Sequence, residues 1–325
     1  MIIVQTPLRI SFLGGGTDFE DFYAQHGGAV LSTAIDKCVF IIVKERFDDD
    51  ICLNYSRREI VQKVDDIQHD LIREALRATG IDKGVEVTTL ADIPSTGTGL
   101  GSSSSITVAL LQALYSFKGV IKNADELAQK ACEIEINILG RPIGKQDQYI
   151  AAHGNFRYIT FTAGSVNVEA VKVSREARKK LNDSLMLFYM GYTRNGADIL
   201  LDQKSNIPMN IASLKELRDL SQSALAVVKN GRMDDFGDLL HQGWELKKGL
   251  AGKIADDGIN DVYKAARAAG AIGGKITGAG GGGFLLLYCP PGRQEEVRNA
   301  IKLREMPFHF QEDGSKVIFN YRRSS

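Results

Sequence analysis

Apolar and polar residues follow two rhythms along this chain. Residues 2–4, 8–13 and 38–46 are runs rich in Ile, Val and Phe, which predict strands. Over residues 66–79 the apolar Ile67, Leu71, Ile72, Ala75 and Leu76 fall on one helical face, and Gly80 supplies the stop. Residues 85–90 read as a strand. Residues 102–117 read as a helix that is apolar on nearly every side, which predicts a buried, central position. A helix over 124–139 comes next, with Leu127, Ala131, Ile134 and Ile138 in phase and Gly140 and Pro142 behind it. Farther on, Ser213 with Glu216 forms the pattern of a capping box opening a helix to about residue 229. Helices over roughly 234–250 and 260–269 and strands at 275–277, 284–288, 307–311 and 316–321 complete the pattern. This mixture predicts an α+β chain of two domains, 1–173 and 174–325, divided at the charged stretch that begins at Ser174.

Composition narrows the function classes. Of 325 residues 44% are hydrophobic, enough for ordinary cores, and 40 Lys plus Arg balance 40 Asp plus Glu. A chain without net positive charge is a poor match to nucleic acid or an anionic membrane surface. No apolar run approaches the roughly 20 residues of a membrane helix, and the first residues show neither a basic start nor a cleavage site. Cys38, Cys52, Cys132 and Cys289 form no close pair and the five histidines are scattered, so buried thiols in a reducing, cytoplasmic setting are expected rather than zinc or disulfides.

Glycine carries the chemistry. Three clusters stand out, at 14–16, 97–101 and 278–283. The segment from Pro94 through Gly97, Gly99, Leu100, Gly101, Ser102, Ser103 and Ser104 to Ser105 lies between a predicted strand and a predicted apolar helix. Alternating glycines let backbone fold around an anion, and the helix N-terminus aims free N–H groups at it. That is the chemistry of a triphosphate site, set against the plainer reading of a flexible turn capping a helix. Residues 140–145 and 270–275 have P-loop flavour but wrong glycine spacing. The G-x-G-x-x-G at 278–283 precedes a strand, so the dinucleotide reading lacks its context.

Pro7 to Phe19, Pro94 to Ser105 and Lys275 to Gly283, in this order, resemble the three motifs of the GHMP kinase superfamily. The variant Gly14-Gly15-Gly16-Thr17-Asp18-Phe19 is most similar to its heptose and fucose sugar 1-kinases, and Leu187 to Arg194 to the heptose 7-phosphate kinases among them. The resemblance implies an N-terminal domain like domain 2 of ribosomal protein S5, a ferredoxin-like C-terminal domain, and an active site between them. It implies ATP and Mg2+, and a small sugar phosphate phosphorylated at its anomeric hydroxyl for nucleotide-sugar synthesis, with neither nucleic acid nor membrane as partner. It leaves room for a homodimer, for a kinase of an unphosphorylated sugar, and for a silent sensor on the same fold.

The same resemblance distributes roles. Asp147 would be the base that takes the hydroxyl proton and Arg9 the cation beside it; Ser103 and Glu135 would ligate magnesium, with Glu133 a rival for Glu135. Gly15, Gly16, Thr17, Asp18, Arg194, Lys275 and Gly280 would lie on the substrate side, with Lys145, Arg194 and Lys275 as candidates for a distal phosphate. Each has a plainer reading: Asp147 or Asp18 as a helix cap, Glu135 as a solvated helix residue, Arg9 as a surface arginine.

Overall fold

The computed structural model describes residues 1–93, 97–193 and 195–321. Twelve strands lie among them. The first sheet contains β1 (Ile2–Leu13), β2 (Gly28–Glu45), β3 (Ile51–Asn54), β4 (Arg58–Val61), β5 (Val85–Ala91), β6 (Phe156–Phe161) and β7 (Val166–Ala170). The second contains β8 (Leu185–Tyr189), β9 (Gly273–Ile276), β10 (Phe284–Tyr288) and β11 (Arg304–Glu305), while β12 (Lys316–Asn320) returns to the first.

The first sheet runs β12-β1-β2-β5-β3-β4, with β6 joining β2 and β7 joining β6. The two runs expected at 2–4 and 8–13 are one strand. Pro7 sits inside it at a register shift against β2, the kind of irregularity that tolerates a residue without an N–H. β2 begins ten residues before the expected strand, because small residues at its start pair with β6 instead of advertising an apolar run. The helix Ser102–Phe117 has the expected bounds and lies across β1 and β2, buried as its all-round apolarity predicts.

The second sheet runs β11-β8-β10-β9, antiparallel throughout. In chain order its elements are strand, helices, two strands, helix Gln294–Ile301 and strand, the β-α-β-β-α-β succession of a ferredoxin-like unit. The α+β class is as expected. One apolar cluster fills the first sheet and its helices; a second, around Phe22, Phe188 and Trp244, lies between the second sheet and its helices.

Several boundaries differ from expectation. The helix expected over 124–139 is an α-helix only for Ala124–Cys132, and Glu133–Ile138 widens into a π-helix. The capping box does not form: that helix starts at Ile211, which leaves Ser213 inside its first turn. The strand expected at 307–311 reduces to one bridge between Ile35 and Phe310. The strand expected at 316–321 pairs with β1 rather than completing the second sheet. At the charged stretch, Ser174 caps the helix Arg175–Ser184 by accepting from the Ala177 N–H at 3.1 Å. All four cysteines are free and buried. No helix among the described residues is long and apolar enough to cross a membrane.

Candidate active site

Arg9 lies in mid β1, 4% exposed, not at a surface strand end. Its backbone N–H donates to Leu100 O at 3.0 Å and its Nη1 to Gly99 O at 2.6 Å, so the strand grips the glycine loop from below. Its other face forks onto Asp147: Nε to Oδ1 and Nη2 to Oδ2, both 2.7 Å. Asp147 is not a cap; it stands in the first turn of the helix Gln146–His153, where the N-terminal dipole favours a carboxylate. Its side chain retains 22% exposure against 5% for that of Arg9, so the pair opens onto the cleft from the carboxylate side.

Asp18 is the second buried acid. It does not cap the helix Glu20–His26, whose N-cap residue is Phe19. Oδ1 accepts from the Gly16 N–H at 2.9 Å, and Oδ2 from Gln146 Nε2 at 3.0 Å and the Gln146 N–H at 3.3 Å. Gly144 is obligatory here, since a Cβ would stand 2.1 Å from Asp18 Oδ2. Burial pushes the Asp18 pKa above its ordinary value; the nearby charge of Asp147 adds to this and the Gly16 and Gln146 N–H groups oppose it.

The glycine loop turns through left-handed backbone at Gly97, Gly99 and Gly101, with φ of 72°, 72° and 76°. Gly101 is the N-cap of the helix Ser102–Phe117 and brings no side-chain cap, which leaves first-turn N–H groups to a ligand. Ser105 Oγ is committed to Pro7 O at 2.8 Å, whereas Ser103 Oγ donates to Glu135 Oε1 at 3.0 Å. Glu135 is fully buried on the π-helix, while Glu133 faces outward and pairs with Lys130. Burial pushes the Glu135 pKa up, opposed by hydrogen bonds from Ser104 and Gln148 and by the charge of Arg141. The Arg141 guanidinium reaches Ser103 Oγ and Glu135 Oε1, and its Nη2 bonds Asp70 at 2.8 Å.

The third cluster closes the cleft. Gly278 packs so near the loop that a Cβ there would lie 2.5 Å from Gly99 Cα. Lys247 donates to Gly278 O, and Lys275 donates to Ser11 O at 2.9 Å and Phe12 O at 3.1 Å. Both lysines are buried in the cleft wall. Burial and the charge of Arg9 hold the Lys247 pKa down to about 8. Burial and Lys247 depress that of Lys275 further.

The fold thus brings Arg9, Asp147, Asp18, Gly15, Gly16 and Lys275 around one hollow. Other expected residues sit apart from it. Thr17 spends its hydroxyl on Gly14 O and Ala29 O, holding its own loop. Gly280 packs against Ile254, and Lys145 lies 5.1 Å above the Tyr23 ring beside a neighbouring hollow. Pro94 and Arg194 fall outside the described residues. Sequence reasoning missed Ser11, Gln146, Gln203 and Lys247, all of which line the hollow. Lys247 had a signal: with Phe236, Leu240 and Trp244 it continues the buried stripe of Met233–Lys248, where a lysine is out of place.

Residues 66–155 match the model of the GHMP kinases N-terminal domain, and residues 223–306 that of the GHMP kinases C-terminal domain. The chain belongs to the GHMP kinases. The two matched ranges hold the glycine loop, Glu135, Asp147, Lys247 and Gly278. The chain is 28% identical to a D-glycero-alpha-D-manno-heptose 7-phosphate kinase of Campylobacter jejuni, over 97% of this chain and 98% of that one. It is 27% identical to an L-fucokinase/L-fucose-1-P guanylyltransferase of Bacteroides fragilis, over 93% of this chain but 35% of that one. A crystal structure described as a D-glycero-D-manno-heptose 1-phosphate kinase from Bacteroides thetaiotaomicron superposes with a TM-score of 0.83 at 26% identity, covering 99% of this chain and all of that one. As a GHMP kinase, the chain transfers phosphate to a hydroxyl, with ATP as the family's donor.

Proposed function

We propose that this kinase phosphorylates the anomeric hydroxyl of D-glycero-D-manno-heptose 7-phosphate, giving the 1,7-bisphosphate. The carrying observation is the Arg9–Asp147 fork, set between the glycine loop and a hollow that also holds Asp18. The similarity to a heptose 7-phosphate kinase along nearly the full length of both chains supports the choice of sugar.

Arg9 takes one lone-pair site from each Asp147 oxygen, leaving each oxygen another for a proton. Asp147 therefore accepts the anomeric proton while that oxygen attacks the γ-phosphorus, the bond to the β-phosphate breaks, and ADP leaves. The free amides at Ser102, Ser103 and Ser104 cradle the triphosphate, and Asp18 accepts from sugar hydroxyls. Lys247 uses one of its three donors on Gly278 O, which leaves two for an anion and suits it to the distal phosphate of the sugar. Lys275 has one donor left for the same group.

Ser103 and Glu135 offer a hydroxyl and a carboxylate, hard oxygen donors of the type that suits magnesium bound jointly with phosphates and water. They would hold the ion, and Arg141, already against both, would share that charge or yield to it. Magnesium supplies neutralisation of the phosphate oxygens when bound.

The test is ADP release across a sugar panel. Turnover with the heptose 7-phosphate at a kcat/KM well above that with fucose supports the assignment, and the reverse order refutes it. Asp147→Asn should lower kcat by about 100- to 10,000-fold with little change in the Kd of a nonhydrolysable ATP analogue. Undiminished kcat would remove Asp147 from its role.

A further inference from the structure

Two polar atoms on residues that line the hollow have no hydrogen-bond partner among the described residues. Ser11 Oγ and Gln146 Oε1 are buried and unpaired, and both residues line the space beside Asp147. Such atoms are uncommon in folded proteins, and at a ligand site they point to what is missing. The amide orientation is fixed by its other end: Nε2 donates to Asp18 Oδ2 at 3.0 Å, an oxygen that also accepts from the Gln146 backbone N–H. Oε1 is thus a pure acceptor and needs a donor. Ser11, 4% exposed, carries a hydroxyl that can donate or accept, and its carbonyl is pinned by Lys275. Gly15 lies beside both side chains: a Cβ there would stand 3.7 Å from Ser11 Oγ and 3.7 Å from Gln146 Nε2, the amide's donor end.

We propose that Ser11 and Gln146 form a hydroxyl-recognition pair across Gly15, in which one sugar alcohol donates to Gln146 Oε1 and accepts from the Ser11 O–H. An alcohol is the group that satisfies both at once, because its single oxygen donates one hydrogen and accepts another. This pair deepens the sugar-kinase reading on which it rests, and makes one hydroxyl of the acceptor a selectivity determinant. Neither residue handles phosphate or the transferred proton.

The experiment is a cycle between protein variants and substrate analogues. Steady-state kinetics of the full chain are measured with monodeoxy and deoxyfluoro analogues of the accepted sugar, for the parent protein, Ser11→Ala and Gly15→Ala. At one carbon, deoxygenation should lower kcat/KM about 10-fold or more in the parent, mainly through KM, and cost about threefold less in Ser11→Ala. The fluoro analogue, which accepts but cannot donate, should recover part of the loss in the parent and none in Ser11→Ala. Gly15→Ala meets ordinary van der Waals distances, so its Tm should hold while kcat/KM for the sugar falls about 10-fold and the Kd of the ATP analogue stays the same. Penalties that add independently at every carbon, or a fully active Gly15→Ala, overturn the pair while leaving the kinase reading intact. Absence of turnover with every sugar overturns both.

Discussion

Lys247 shows how one residue's surroundings set its chemistry. It sits with Arg9 and Lys275 around Asp18 and Asp147, and burial holds its pKa down to about 8, against an ordinary 10.5. Between these values the unfolded chain binds a proton at Lys247 that the folded chain does not, so this residue's contribution to stability rises with pH across that window. Replacing Lys247 with Met should remove that contribution: the Tm of the parent relative to the variant should rise by about 5 °C from pH 8 to pH 10, as monitored by thermal melts. An anionic sugar beside the amine restores its charge, so binding near pH 9 should take up a proton, detected by calorimetry in buffers of different ionisation enthalpy. Asp18 lies in the first motif, and the family resemblance singled out Asp147 and Glu135 although they lie outside the three motifs. Ser11, Gln146 and Gln203 are common residue types whose meaning comes from the space they surround, even where, as with Ser11, a motif contains them.

At the scale of elements, the site is a contact between two glycine turns from distant parts of the chain. Gly278, at φ 64°, touches Gly99, and Thr277 Oγ1 donates to Thr98 O at 3.2 Å. Gly278→Ala adds a methyl where backbone already stands and asks an L residue to keep a left-handed conformation. The loop should be pushed out of shape: the Kd of an ATP analogue should rise about 10-fold or more with a fall of only a few degrees in Tm, measured by titration and melting. Glycine clusters made these turns visible in sequence, and the apolar run gave the helix Ser102–Phe117 its bounds. The π-helix that turns Glu135 inward was not visible, because a one-residue widening leaves the i, i+3, i+4 pattern of 124–139 nearly intact while rotating the side chains beyond it. Short helices such as Gly196–Ser205, which brings Gln203 to the hollow, carry too few turns to show a period.

The whole molecule is tied together by its last strand. β12 leaves the second sheet's neighbourhood and pairs antiparallel with β1, Ile2 opposite Asn320 and Gln5 opposite Lys316, so residues far apart in sequence complete one sheet edge. Local patterning could find this strand but not its destination, because pairing partners separated by the whole chain leave no trace in a short window. β1 is also the strand that carries Arg9 to Asp147 and Gly99. Removing residues 316–325 should therefore expose the backbone edge of the strand on which the Arg9–Asp147 pair is built. β12 is half-buried at its start and exposed beyond, so the loss should be partial: a Tm lower by roughly 5 °C and a greater tendency to associate through the bared edge, seen by melting and light scattering. Activity at 25 °C should fall in proportion to the folded fraction, with KM for the sugar unchanged, because β12 does not line the hollow. A raised KM in the folded truncation would mean instead that β12 holds the geometry of Arg9 directly, through the register of β1.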